Sequence, residues 1–420
     1  MSLRVHVEEC DSEAALLAVL QQAPDDARTA FVRDGDGLIG WGVAARLPVG
    51  TGPNRFANAR AALQETVGAA VGERDQVVAV GSFTFDEDED ASLLTIPRQT
   101  LVRRDGHSRI ITVGADPDGA DDLRSILRRS DAPAAPDLSR GGDGRPRHAG
   151  STVRDDRWLE AVAEATRVIR TGEVEKVVLA RDLHLWSRTA FDLDHILHGL
   201  ATTFPSCFTF LVDQLVGASP ELLLAREGTT LRSRVLAGTA ARAADPAADD
   251  LLGEALLAST KDRREHDLAL RSAVDALSPV CEHVEAPDGP SLLRLDNVQH
   301  LGSDLTGTVA PTVDLHGEGH ILDLVGRLHP TAAVGGAPRD RALRAIDELE
   351  GMSRGRYAGP VGWCTAAGDG AFAIALRCAE VDGDRARLFA GAGIVEGSLP
   401  EAELTETWLK LRAMTGVLDR

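Results

Sequence analysis

Four groups of residues have the types and spacing to do chemistry. The first is one lysine. In the stretch GEVEKVVLAR, residues 172–181, Lys176 stands among Val174, Val177, Val178, Leu179 and Ala180. Alternation along a strand puts it on the same face as Val174, Val178 and Ala180. An ammonium on such a face is costly unless a partner neutralises it or its pKa falls. Taken alone, Lys176 reads as salt-bridged or snorkelling. The second is Glu221 in ASPE, which opens the apolar run LLLA. Taken alone it is equally a turn residue at a strand start.

The third group is a double pair of carboxylates. Asp262 and Glu265 in KDRREH, and Glu403 and Glu406 in EAELTETWLK, stand at i, i+3, with Lys410 one turn beyond. That spacing puts both members of a pair on one helix face. Each pair alone reads as a charged solvent face. Two pairs on separate helices could instead form a hard-cation site, and oxygen donors without nearby Cys or His suit Mg²⁺. The fourth group is glycine-rich: LAGTAAR (236–242), AVGGAPR (333–339), RGRYAGPVGW (354–363) and AGAGIV (390–395). Glycine lets backbone approach a ligand and turns N–H groups toward an anion. His300 in VQHL and His329 in LHPT lie between them. No GxxxxGK[ST] occurs, which excludes a P-loop. No GxSxG occurs either, so a hydrolase elbow is unsupported.

The elements that must position these residues alternate in period. Helical patterns read in DSEAALLAVLQQA, RFANARAALQETVGAAV, DRWLEAVAEATRVIRTG, DHILHGLATTF, RALRAIDELEGM and LPEAELTETWLKLRAMTGVL. A long helix, broken once, reads in DDLLGEALLASTKDRREHDLALRSAVDAL. FVRDGDGLIGWGVAARL predicts a hairpin about its DGDG turn. SCFTFLVDQLVGASPELLLARE predicts a pair of strands, and LGSDLTGTVA and GAFAIALRCAEVDGDRARLFAGAGIV more. Strands arriving as hairpins between helices favour antiparallel α+β over a parallel Rossmann sheet. Residues 130–150 are rich in Pro, Gly, Asp and Arg and are expected to form a mobile, exposed connector. It would separate an N-terminal part, 1–150, from a catalytic region, 151–420.

Composition bounds the rest. The chain has 420 residues, 43% hydrophobic and 26% charged, enough for a sizeable core. A net charge of −20, with no basic stripe, argues against nucleic acid. DEDED, residues 86–90, reads as solvated loop. The five cysteines are scattered, with no CxxC, and read as free thiols of a reducing cytosol rather than a zinc site. No apolar run reaches 18 residues and the start shows no signal-peptide pattern, so a cytoplasmic protein without membrane contact is expected.

Taken in order, KVVLAR, GASPELLL, LAGTAAR, KDRREH, LHPTAAVGG, RGRYAGPVGW, ALRCAEV, AGAGIV and ETWLKL span residues 176–411. Together they resemble the chorismate-utilising enzymes, the family of anthranilate synthase component I, and within it the isochorismate-forming branch. The N-terminal third matches only loosely. The resemblance implies a single α+β domain of two packed, largely antiparallel sheets, with helices outside and the site in a central cleft. It implies chorismate as substrate, Mg²⁺ as cofactor, and a monomer. Glu265 and Glu406 match the direct metal ligands; Asp262 and Glu403 would lie nearby, holding metal-bound waters. Tyr357 and Arg377 match positions that bind the enolpyruvyl carboxylate. The backbone at Gly238, Thr239, Gly391 and Gly393, with Lys410, would complete an anion cradle. His300 and His329 are expected to be support more than contact.

The implied reaction moves a hydroxyl from C4 to C2 of the ring, with Lys176 matching the base that activates water and Glu221 the acid. Lys176 must then be neutral and Glu221 protonated. Anthranilate synthases resemble this chain but carry glutamine where Lys176 stands, so the lysine favours water over ammonia. Aminodeoxychorismate synthases carry a lysine where Ala237 stands. Salicylate synthases share Lys176 and Glu221 and also eliminate pyruvate; LHPTAAVGG, with its small Ala333, favours the plain isomerases. Intact Lys176, Glu221, Glu265 and Glu406 argue against a non-catalytic homologue. Isochorismate feeds menaquinone, catecholate siderophores and salicylate-derived compounds.

Overall fold

The computed structural model describes residues 3–10, 12, 14–24, 27–115, 126–127 and 145–419. Local chemistry sets many of its element ends. Asp213 (φ 56°) and Asp34 (φ 51°) turn two hairpins in the left-handed region that Asp tolerates. Asp245 caps the helix Pro246–Ala258, accepting from Ala248 N, with proline in its first turn. Ser259 ends that helix and caps the next, Thr260–Leu277, accepting from Asp262 N. The expected break in the long helix is therefore a cap, and it starts a fresh helix three residues before Asp262. Pro400 opens the helix Pro400–Leu418, which carries the other carboxylate pair.

Strand pairing is antiparallel throughout the described residues, apart from a two-residue contact of Arg4–Val5 with Val71–Gly72. One ladder runs from Cys281–Glu285 and Ser291–Arg294 through Val298–Val309, Thr230–Ala241, Leu222–Glu227, Gly370–Ile374, Pro360–Thr365 and Val78–Ser82 to Leu93–Arg104. A second runs from Asp36–Leu47 through Thr29–Arg33, Phe208–Val212, Leu215–Ser219, Cys378–Asp382 and Arg385–Ile394 to Lys176–Trp186. The two join where Asp36–Leu47 pairs with Leu93–Arg104. The first ladder then continues through His107–Gly114 to Arg4–Cys10.

This topology has a consequence for the site. Leu215–Ser219 belongs to the second ladder and Leu222–Glu227 to the first, so the chain changes sheets at Pro220–Glu221. It changes back between Gly370–Ile374 and Cys378–Asp382, at Arg377, whose φ is +48°. Ile374 N donates to Glu221 O at 3.2 Å, so the two crossings lie side by side.

Three sequence expectations change. SCFTFLVDQLVGASPELLLARE holds three strands rather than two, because Pro220 at the crossing stops the second. Of the expected connector, 130–144 lies outside the described residues, while Arg147–Gly150 is an exposed strand paired with the end of Lys176–Trp186. The amphipathic helix Ile321–Leu328, which the sequence reading did not single out, buries Ile321, Leu322, Leu324, Val325 and Leu328. The five cysteines are free thiols. No helix among the described residues is long and apolar enough to cross a membrane.

Candidate active site

Lys176 opens its strand and is fully buried, and the residues from Val177 to Leu183 are buried with it. One edge of Lys176–Trp186 pairs with Arg385–Ile394, placing Gly393 opposite Val178 and Gly391 opposite Ala180. Lys176 Nζ lies 3.2 Å from Glu265 Oε1. A Cβ at Gly393 would sit 2.1 Å from that same oxygen and 3.0 Å from Lys176 Cε. Glycine there is a steric requirement of the Lys176–Glu265 contact.

Glu221, at the sheet crossing, is 3% exposed. Burial raises its carboxyl to about 8, against a backbone hydrogen bond from Leu236 N and the opposing charges of Lys176, Arg377 and Lys410. It is therefore largely protonated at neutral pH, and it shares a charge environment with Lys176.

The two carboxylate helices face one another across the cleft. Glu265 and Glu403 are buried. Glu403 accepts from Lys261 Nζ at 2.7 Å. Burial raises the Glu403 carboxyl, and the charge of Glu406 raises it further. Burial also acts to raise Glu406, but Lys410, with Nζ 2.6 Å from Oε1, together with the charges of Lys261 and Arg377, holds the carboxyl below its ordinary value. Asp262 is raised by burial, and it accepts a short hydrogen bond from Ser259 Oγ. Asp262, Glu265, Glu403 and Glu406 all act on Lys261 or on one another, so the four expected residues do converge on one region. They do not form a ready cage: no three Asp, Glu, His or Cys side chains among the described residues surround one point. Glu265, Glu403 and Glu406 are each held by a lysine instead. The donor set, oxygen only and rich in negative charge, fits a hard divalent cation once Lys176 and Lys410 leave their carboxylates.

The cleft also carries a cationic cluster. Arg377 is buried, and its Nη2 donates to His300 Nε2 at 3.0 Å. That donation fixes the tautomer: Nδ1 carries the proton and points at Thr239 Oγ1, 3.1 Å away, and Gly238 O, 3.4 Å away. Burial, then the charges of Arg377 and Lys410, hold His300 well below its ordinary pKa, so it stays neutral. Gly238 has φ +81° and interrupts the pairing between Ala237 and Thr239, turning this backbone toward Asp262. Lys410 Nζ donates to Gly391 O at 2.8 Å. Tyr357 stacks on Phe389, centroids 5.0 Å apart, and a Cβ at Gly391 would lie 3.2 Å from its hydroxyl. Burial pushes the Tyr357 hydroxyl pKa up, keeping it a donor.

His329 stands apart. Its Nε2 meets Phe85 O at 3.2 Å and its ring packs edge-on against Phe56 and Phe85. It supports the core. Lys261 is the charged residue of the cleft that the sequence reading passed over. Its only sequence signal is its position one residue before Asp262, on the turn that Ser259 caps.

The family model for chorismate binding enzymes matches residues 1–419. The isochorismate synthase MenF of Bacillus subtilis is 37% identical over 316 residues, covering 73% of this chain; the match spans 66% of that protein's length. The salicylate biosynthesis isochorismate synthase of Pseudomonas aeruginosa is 37% identical over 411 residues, covering 91% of this chain and 83% of that protein. Among solved structures, MenF, the menaquinone-specific isochorismate synthase from Escherichia coli, superposes with a TM-score of 0.80 at 26% identity, covering 100% of this chain and 95% of that one.

Proposed function

The chain belongs to the chorismate-binding enzymes, and on that footing we propose that it converts chorismate to isochorismate in a Mg²⁺-dependent isomerisation. The observation that carries this reading is the pairing of two buried groups of opposite role in one cleft. Lys176 is fully buried at the start of an apolar strand, and Glu221, raised to about 8 by burial, is a carboxylic acid that keeps its proton at neutral pH.

The residues divide the work. Arg377 can grip the enolpyruvyl carboxylate bidentately, its side chain aimed by His300. Tyr357 donates to the same group. Lys176 takes a proton from water as the oxygen attacks C2. The ring double bonds shift, and Glu221 delivers its proton to the C4 hydroxyl, which leaves as water. One water enters and one leaves, so the product has the mass of the substrate. Glu265 and Glu406 would hold Mg²⁺, with Asp262 and Glu403 behind them. Bound there, Mg²⁺ would supply the positive charge for the ring carboxylate and draw Glu265 from Lys176. A water nucleophile agrees with lysine, rather than glutamine, at 176.

The test is a mass measurement. Chorismate incubated with the protein and Mg²⁺ should yield an isomer of equal mass. Salicylate with pyruvate would instead establish the eliminating reaction, anthranilate formed with ammonia would establish the aminating one, and no turnover would overturn the reading.

A further inference from the structure

The outer edge of the lysine-bearing strand has a gap. Along 175–178 it is bonded by the segment 335–337: Glu175 N donates to Ala337 O at 2.7 Å and Val178 N to Gly335 O at 2.8 Å. From His184 onward it is bonded by Arg147–Gly150. Between them, at Val178 O, Ala180 N and Ala180 O, no strand among the described residues is alongside. Buried backbone groups must find partners, and here side chains supply them. Arg354 Nη2 donates to Val178 O at 2.7 Å, Ala180 N donates to Glu350 Oε2 at 2.8 Å, and Trp158 Nε1 donates to Ala180 O at 3.1 Å.

Arg354 and Glu350 also bind each other twice, at 2.7 and 2.6 Å, and Arg354 Nη1 donates to Val334 O at 2.8 Å. The guanidinium lies over the Phe85 ring, 4.0 Å from its centroid. Both residues are buried, 3% and 4% exposed. A fully buried ion pair is a poor way to gain stability, because desolvation offsets the attraction and apolar residues of similar volume often do as well. What an ion pair does supply is direction: a rigid fork that clamps Val178 O and Val334 O at once. The clamp sits two residues from Lys176, on the strand and on the segment bonded to it.

We propose that the buried Glu350–Arg354 pair is a positioning device for Lys176, standing in for the missing stretch of neighbouring strand and holding the lysine's strand in register with segment 334–337. The role rests on the reading of Lys176 as the base. Arg377, assigned to the substrate carboxylate, lies at the sheet crossing, and Tyr357 is tied to Arg354 through a backbone bond that the substitutions keep, Tyr357 N to Arg354 O at 3.0 Å. Loosening the side-chain clamp therefore misplaces the base while leaving the substrate grip in place.

The experiment compares Glu350→Leu, Arg354→Lys and Glu350→Gln in the full chain. Chorismate turnover is expressed per folded molecule, and backbone hydrogen exchange is followed over 176–181. Glu350→Leu and Arg354→Lys should lower kcat tenfold or more with KM for chorismate within twofold, and should speed exchange at 176–181 but not at 385–394. Glu350→Gln keeps an acceptor for Ala180 N and should stay within threefold of the parent. Unchanged kcat per folded molecule, or a loss of kcat matched by an equal rise in KM, overturns the proposal. If Glu350→Leu does not fold, Arg354→Lys decides by the same criteria. A parent protein inert toward chorismate would overturn the functional reading, and exchange at 176–181 would still decide whether the pair holds the strand: no acceleration in the variants overturns that too.

Discussion

Lys176 Nζ and Glu265 Oε1 are 3.2 Å apart, and only the missing side chain of Gly393 lets them meet. A methyl group at 393 would overlap the carboxylate oxygen, and both partners are buried, so neither can swing into solvent. Gly393→Ala should therefore cut turnover at least tenfold without unfolding the chain, since position 393 has no need of the left-handed region. Lys176→Ala should abolish turnover with circular dichroism unchanged. Near-parental rates in either variant would remove Lys176 from the chemistry.

Glu221 makes a prediction in pH. Its carboxyl is raised to about 8 by burial, whereas an unfolded chain ionises a glutamate at about 4.3. Below both values folded and unfolded states are protonated alike. As pH rises between them, the unfolded chain releases a proton that the folded one keeps, so this group's contribution to stability is lost progressively and is gone above about 8. Glu221→Gln should flatten that slope, and its melting temperature relative to the parent should rise from acid to alkaline pH. The same variant should lose about 10²-fold or more in kcat, as expected for a missing general acid. The parent's kcat should fall on the alkaline side of about pH 8. A parallel pair of stability curves would show that Glu221 ionises normally.

Which of these features were legible in the sequence follows from how local their causes are. Ser259, a cap three residues before Asp262, marks the helix that presents Asp262 and Glu265, and the spacing of the carboxylates survives folding unchanged. Lys176 was conspicuous because a charge interrupts an apolar run. Glu350 and Arg354 were not, because at a helix end and in a glycine-rich loop they look like solvated charges. Their partners, Val178 and Ala180, are about 170 residues distant in the chain. The sheet crossings at Glu221 and Arg377 are equally invisible locally. SPE reads as a turn, and only the pairing of Leu215–Ser219 with Cys378–Asp382 and of Leu222–Glu227 with Gly370–Ile374 makes it the seam of two sheets. Lys261 has no local feature that separates it from a helix-surface cation; its ion-pair partner, Glu403, comes from the last helix.

Arg377 and His300 should separate substrate grip from chemistry. The guanidinium is held by His300 Nε2, and His300 in turn by Thr239 and Gly238 O. Arg377→Ala removes a charge-assisted contact worth about 1.5–3 kcal/mol, so KM for chorismate should rise roughly ten- to hundredfold. His300→Phe keeps the volume but frees the guanidinium, and should raise KM while leaving kcat within about threefold. Because His300 is held neutral, the parent should show no activity step near the ordinary imidazole value that this variant abolishes. A KM unaffected by His300→Phe would mean that Arg377 is aimed by something else.

The carboxylates differ in how committed they are, and metal titration should rank them. Glu403 is 1% exposed and tied to Lys261 at 2.7 Å, across the gap between the two carboxylate helices. Glu265 and Glu406 are held by Lys176 and Lys410, the two lysines assigned to base and anion cradle. A cation entering the cleft can take the latter pair by displacing lysines that the reaction needs free, whereas taking Glu403 would break its 2.7 Å bond to Lys261 and leave that ammonium with the longer-range charges of Glu265 and Glu406. Glu265→Gln and Glu406→Gln should each weaken Mg²⁺ more than tenfold, read both from the Mg²⁺ dependence of turnover and from calorimetric titration without chorismate. Glu403→Gln should shift the midpoint less than either, by no more than about tenfold, the low end of an outer partner's effect, with kcat recovered at saturating Mg²⁺. Removing Mg²⁺ with a chelator should stop turnover reversibly. A ranking with Glu403 above Glu265 would place the cation on the far side of the cleft, away from Lys176.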